Sequence, residues 1–117
     1  MGKAEGRGEN WHGHVTAVSV APEYRRLGVA EKLMSHLEAT SERKQCYFVD
    51  LFVRASNEVA VQMYRKLGYV IYRRVLGYYS GDPDEDAFDM RKALSRDVHH
   101  KSVIPLDHPI TPEQLEW

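Results

Sequence analysis

His14-Val15-Thr16-Ala17-Val18-Ser19-Val20-Ala21-Pro22-Glu23-Tyr24-Arg25-Arg26-Leu27-Gly28-Val29-Ala30 decides the fold of this 117-residue chain. Its first half is small and β-branched, as a buried strand requires. Pro22 cannot donate to a ladder and ends the strand. From Val29 the apolar positions take helical spacing: Val29, Leu33 and Leu37, with Ala30 and Met34 beside them. Arg25, Arg26 and Gly28 therefore fall at a helix start. There backbone N–H groups lack intrahelical partners and the helix dipole is positive. Gly28, without a Cβ, lets another group approach the backbone. Strand, turn and helix start together form a seat for a phosphate. The same residues also fit a structural turn carrying two solvated arginines.

Outward from this unit the chain continues to alternate. Trp11 to Val20 form the first strand, with His14 and Thr16 on one face and Val15 and Ala17 on the other. The polar face suits either a cleft or open surface. The helix runs from Leu27 to about Arg43. Tyr47 to Val53 then form a nearly continuous apolar strand broken by Asp50, the pattern of a strand covered on both faces. Strand, helix and strand imply a parallel pair with a right-handed crossover. Ser56 or Asn57 caps a second helix with a buried stripe of Ala60, Val61, Tyr64 and Leu67, and Gly68 stops it. Tyr69 to Leu76 give another strand, Ser80 to Asp86 an acidic turn, and Ala87 to Leu94 an antiparallel return whose charges predict an edge position. Residues 1–10 read as a strand remnant and a loop. Residues 95–117, with Pro105, Pro109 and Pro112, read as an extended or disordered tail suited to docking.

Composition narrows the class. A net charge of −1 gives no general attraction to nucleic acid or anionic membrane. No apolar run is long enough to span a bilayer, and the first ten residues lack the apolar core of a signal peptide. Gly6 stands where a myristoylation signal needs Ser or Thr. The single cysteine, Cys46, suits a reducing compartment and reads as a buried thiol rather than an acyl carrier. No metal site is expected. His12 and His14 share a strand face, but no Cys or carboxylate completes a ligand set by spacing. Asp82, Asp84 and Asp86 lack the Gly and Glu of a calcium loop.

Two motifs carry a resemblance. Arg25-x-x-Gly28-x-Ala30 matches the Gln/Arg-x-x-Gly-x-Gly/Ala signature of the GNAT acetyltransferases. Asn57-x-x-Ala60-x-x-x-Tyr64-x-x-x-Gly68-Tyr69 matches that family's second pattern, in the right order and on the right junction. The runs from Trp11 to Gly28, Phe48 to Arg54, Tyr78 to Ser80 and Asp84 to Asp97 further resemble the NatB-type catalytic subunits among the N-terminal acetyltransferases. The resemblance implies an α/β (α+β) GNAT fold: a central mixed sheet with helices on both faces, in a domain over residues 1–94, followed by a tail over 95–117. It implies acetyl-CoA as cosubstrate, no metal, and nascent N-termini beginning Met-Asp, Met-Glu, Met-Asn or Met-Gln as acceptors. The implied partner is the NatB auxiliary subunit, with the ribosome reached through it. No direct nucleic-acid or membrane contact is implied, and the location is cytoplasmic. The family's chains carry further sequence ahead of the position of Met1, including two helices that wall the peptide cleft. The acetyl-CoA half is therefore expected to be present and the peptide-gripping half incomplete, whether through a short isoform, a retrocopy or a truncated gene model.

Residue by residue, the resemblance implies that backbone groups of Val18 and Val20 pair with pantetheine. Arg25, Arg26, Gly28, Val29 and Ala30 hold the pyrophosphate, and Asn57 bonds the pantetheine arm. Tyr64 is the acid or orienting hydroxyl near the sulfur, and Tyr78 and Tyr79 line the peptide cleft. His14, with Thr16 beside it, contacts the acceptor's second side chain. As bare sequence, Tyr64 also fits a core tyrosine, Tyr78 and Tyr79 ordinary strand aromatics, and His14 a structural histidine. Gly77 departs from the pattern, which tends to carry Glu there. Two functions follow: an N-terminal acetyltransferase, or a non-catalytic form that binds CoA or the auxiliary subunit.

Overall fold

In chain order, Gly2–Glu5 forms strand β1 and His12–Val15 strand β2, as a computed structural model describing residues 2–15, 27–81 and 83–115 gives them. Helix α1 spans Leu27–Arg43, strand β3 Phe48–Arg54, helix α2 Glu58–Lys66, strand β4 Val70–Tyr79 and strand β5 Glu85–Ala93. The five strands make one sheet in the order β1-β2-β3-β5-β4. β2 and β3 are parallel across the α1 crossover, and the other pairs are antiparallel. No helix among the described residues is long and apolar enough to cross a membrane.

Local chemistry explains most boundaries. Asn57 caps α2, its side-chain oxygen accepting from the Ala60 N–H at 3.2 Å. Gly68 takes φ +99°, the left-handed conformation that ends a helix without a Cβ penalty. Gly13 lets α1 lie close on β2, because a Cβ there would meet the Ser41 hydroxyl at 2.2 Å.

Strand alternation sends Val15, Val49, Leu51, Val53 and Met90 toward α1 and α2. There they bury with Met34, Cys46, Ala60, Val61, Met63, Tyr64 and Tyr69 as the main core. Both α-helices share that face. The opposite face, among the described residues, is covered by single 3-10 turns and by the chain after Ser95. That segment runs beside β4: Leu106 N–H donates to the Tyr72 carbonyl, Ile110 N–H to Arg74, and Leu76 N–H to Ile110. Ile110 buries against Val75 and Ala87 as a second, smaller core.

Two expectations are corrected. β4 runs on past Leu76 through Tyr79, with irregular register between Ile71 and Arg73 and between Val75 and Tyr79. β5 is not an edge strand; it lies between β3 and β4. Its charges are tolerated inside because they meet partners. Asp89 accepts from Arg73 at 2.8 Å, and Arg91 lies 3.7 Å from Asp89. The Arg91 guanidinium also sits over the Tyr72 ring at 3.6 Å and the Phe48 ring at 4.2 Å. A buried charge is costly alone but bearable when paired and stacked.

Candidate functional site

The parallel pairing of β2 with β3 puts His14 directly beside Asp50. Their side chains meet, His14 Nδ1 lying 2.6 Å from Asp50 Oδ1. Asp50 is fully buried, and its second oxygen has no hydrogen-bond partner among the described residues. The His14 side chain keeps a narrow opening, 11% exposed. Burial opposes the imidazolium, but the hydrogen bond and charge of Asp50, helped by Glu5 and Asp89, outweigh it and hold His14 above the usual histidine range.

From this pair an aromatic wall extends along the same face. The His14 ring meets Phe52 edge-on at 5.5 Å, Phe52 meets Tyr78 at 4.7 Å, and Tyr78 meets Tyr79 at 5.0 Å. Arg54 stacks over Tyr79 at 4.3 Å and pairs with Glu85 at 2.9 Å. Burial raises both tyrosine pKa values, and the charges of Asp50 and Asp89 add to the rise at Tyr78. Both phenols are therefore neutral donors at physiological pH. Gly77, at φ +61°, sets up this end of β4, its N–H donating to Asp86 at 2.8 Å. A left-handed position favours glycine over the glutamate of the family pattern.

The sequence-derived residues fall in different parts of the fold. His14, Tyr78 and Tyr79 come together on one face, joined by Phe52. Tyr64 lies across the sheet in the main core, 3% exposed and edge-on to Tyr69 at 6.0 Å. Burial pushes its phenol up to about 12, so it holds its proton at neutral pH. Asn57 is at the start of α2, where its cap bond engages the side-chain oxygen. Thr16, Val18, Val20, Arg25 and Arg26 lie outside the described residues. Gly28, Val29 and Ala30 occupy the first turn of α1. Gly28 is exposed there, and a Cβ built on it meets no atom of the described residues within 4 Å.

The structure also assembles residues that spacing did not reveal. Glu5, on β1, brings a carboxylate to His12 and His14, and ligand atoms of the three lie within 4.8 Å of one another. This supplies the carboxylate that linear spacing lacked for a metal. His14 Nδ1 already engages Asp50. His12 is buried and stacked on Phe48 at 4.6 Å, with Nδ1 2.5 Å from the Asn10 carbonyl. Burial holds its pKa below the usual value against the pull of Asp50. The lone acid in an apolar strand was the one legible sign of Asp50.

The model of the Acetyltransferase (GNAT) family matches residues 1–69. A protein of Arabidopsis thaliana named as the N-terminal acetyltransferase B complex catalytic subunit NAA20 is 68% identical over 118 residues, covering 100% of this chain and 67% of that protein. The crystal structure of Chaetomium thermophilum Naa20 with a bisubstrate analogue superposes with a TM-score of 0.84 at 41% identity, over 97% of this chain and 68% of that one. A NatB acetyltransferase complex bound to CoA and MES superposes with a TM-score of 0.66 at 48% identity, over 80% of this chain and 62% of that one. The chain thus spans about two thirds of the length of such relatives.

Proposed function

Because the chain belongs to the GNAT acetyltransferase family, we propose that it is a NatB-type N-terminal acetyltransferase chain. It takes acetyl from acetyl-CoA and transfers it to the α-amine of Met-Asp, Met-Glu, Met-Asn or Met-Gln N-termini. It does so in partnership with an auxiliary subunit of the kind found in NatB complexes. The observation that carries this reading is the cluster of His14, Phe52, Tyr78 and Tyr79 on one sheet face, in a chain 68% identical to a NatB catalytic subunit.

The helix start at Gly28 suits the cosubstrate, since a diphosphate is favoured at a helix N-terminus and a Cβ at Gly28 meets no described atom within 4 Å. Bound there, acetyl-CoA supplies an activated thioester. Arg25, Arg26, Gly28, Val29 and Ala30 hold its pyrophosphate, Val18 and Val20 align its pantetheine, and Asn57 bonds the same arm. Tyr64, protonated at neutral pH because burial raises its pKa, is the acid or orienting hydroxyl near the sulfur. The neutral phenols of Tyr78 and Tyr79 bond the peptide backbone, and His14 with Thr16 meets the second side chain.

The test is acetyl transfer to a Met-Asp peptide by the 117-residue chain, with and without the auxiliary subunit. Holding amine and thioester together is worth about 7–11 kcal/mol. The added subunit is therefore expected to raise turnover strongly. CoA binding without transfer under either condition would reject the enzyme reading in favour of a non-catalytic CoA-binding chain.

A further inference from the structure

Resting on the acetyltransferase reading above, we propose that Asp50 is a positioning residue for substrate choice. Its carboxylate holds the His14 ring with Nδ1–H turned inward, so that the far edge of a charged ring faces the acceptor. A charged ring favours an acidic second residue over its amide counterpart. Met-Asp and Met-Glu are thereby preferred to Met-Asn and Met-Gln.

Asp50 is a lone acid in the strand Phe48-Val49-Asp50-Leu51-Phe52, fully buried, with one oxygen 2.6 Å from His14 Nδ1 and 3.6 Å from His12 Nε2. Nδ1 and Nε2 lie on opposite edges of an imidazole, so a ring that donates inward through Nδ1 turns Nε2 away from Asp50. Phe52 borders that ring and joins it to Tyr78, the residue assigned to the peptide backbone. The charged and titratable groups around His14 come from every neighbouring strand. Among the described residues they are Glu5 of β1 at 3.9 Å, His12 of its own strand, Asp50 of β3, Asp89 and Arg91 of β5, Arg73 of β4, and the Tyr78 phenol. Arg91 faces Asp50 across the β3–β5 register and, with Arg73, pairs with Asp89; among the described carboxylates Asp50, at 2.6 Å, lies closer to His14 than Glu5 at 3.9 Å. His12 does not compete for the charge, because burial favours its neutral form.

The sign of the pH effect follows. The His14 pKa is raised, so its charge is complete below the ordinary value of 6.5 and is lost as pH climbs through the raised one. Preference for Met-Asp over Met-Asn is greatest at the acid end of that window and declines above it.

The experiment joins two readouts on the 117-residue chain. Imidazole nitrogen NMR, with the His14 signal assigned by loss in His14→Gln, gives its tautomer and titration midpoint in the wild type and in Asp50→Asn. Competition between Met-Asp and Met-Asn peptides, with the auxiliary subunit present, gives the ratio of kcat/KM across the same pH range. We expect the Asp50→Asn midpoint to fall, because the neutral amide no longer favours the imidazolium. The peptide ratio should fall about fivefold to tenfold, the difference between a charged and a neutral hydrogen bond, with Met-Asn turnover affected less. Equal loss on both peptides with an unmoved midpoint would make Asp50 a structural residue and overturn the proposal. If Asp50→Asn fails to fold, the wild type decides: a ratio that stays flat while His14 titrates overturns it. Transfer to neither peptide, with His14 still coupled to Asp50, would instead defeat the acetyltransferase reading and the selection role with it.

Discussion

Replacing Gly28 with alanine separates cosubstrate binding from folding, because the two are expected to move in opposite directions. Gly28 is exposed in the first turn of α1, and the added Cβ meets no atom of the described residues within 4 Å. Alanine in a helix is favoured over glycine by about 0.5–1 kcal/mol, less at a helix end. The variant should therefore melt about 2–3 °C higher than the wild type. The same methyl stands where a phosphate must come against the backbone N–H groups of the helix start. Losing one charge-assisted hydrogen bond costs about 1.5–3 kcal/mol, or about tenfold to a hundredfold in Kd. Calorimetric titration of CoA and a thermal melt on the same protein read both effects. Unchanged CoA affinity in a variant with a raised melting point would refute the assignment of this turn to the pyrophosphate. A fall in both would mean that Gly28 serves the fold instead.

Three further outcomes are expected. Tyr64→Phe should lower acetyl transfer by about a hundredfold or more while its melting point barely moves, as for a proton donor; retained transfer would make Tyr64 a core tyrosine only. Gly13→Ala should lose about 1–3 kcal/mol in urea denaturation, since its Cβ would fall 2.2 Å from the Ser41 hydroxyl, and Ser41→Gly in the same chain should restore most of the loss. Ile110→Ala should lose about 2–4 kcal/mol, because Ile110 is 5% exposed against the fully buried Val75; a loss below about 0.5 kcal/mol would show the segment after Ser95 to be an appendage rather than part of the fold.

The local grammar of the chain was legible because it depends on near neighbours. Apolar spacing and the turn chemistry around it predict α1 over Leu27 to Arg43, the range observed. Asn57 and Gly68 delimit α2 through interactions within one turn, and the strand-helix-strand rule predicts the parallel β2–β3 pair. The motifs that mark the family sit on those same junctions. Alternation along a strand, however, tells which residues share a face without telling which strand lies opposite. The charges of β5 predicted an edge for that reason. They are interior because Arg73, sixteen positions earlier, arrives beside Asp89. The meeting of His14 with Asp50, thirty-six positions apart, and of Glu5 with both histidines likewise needed the sheet to be assembled. So did the docking of Ile110 on β4. Whether a buried charge is tolerated depends on what stands within a few ångströms of it, and only the tertiary structure sets that distance.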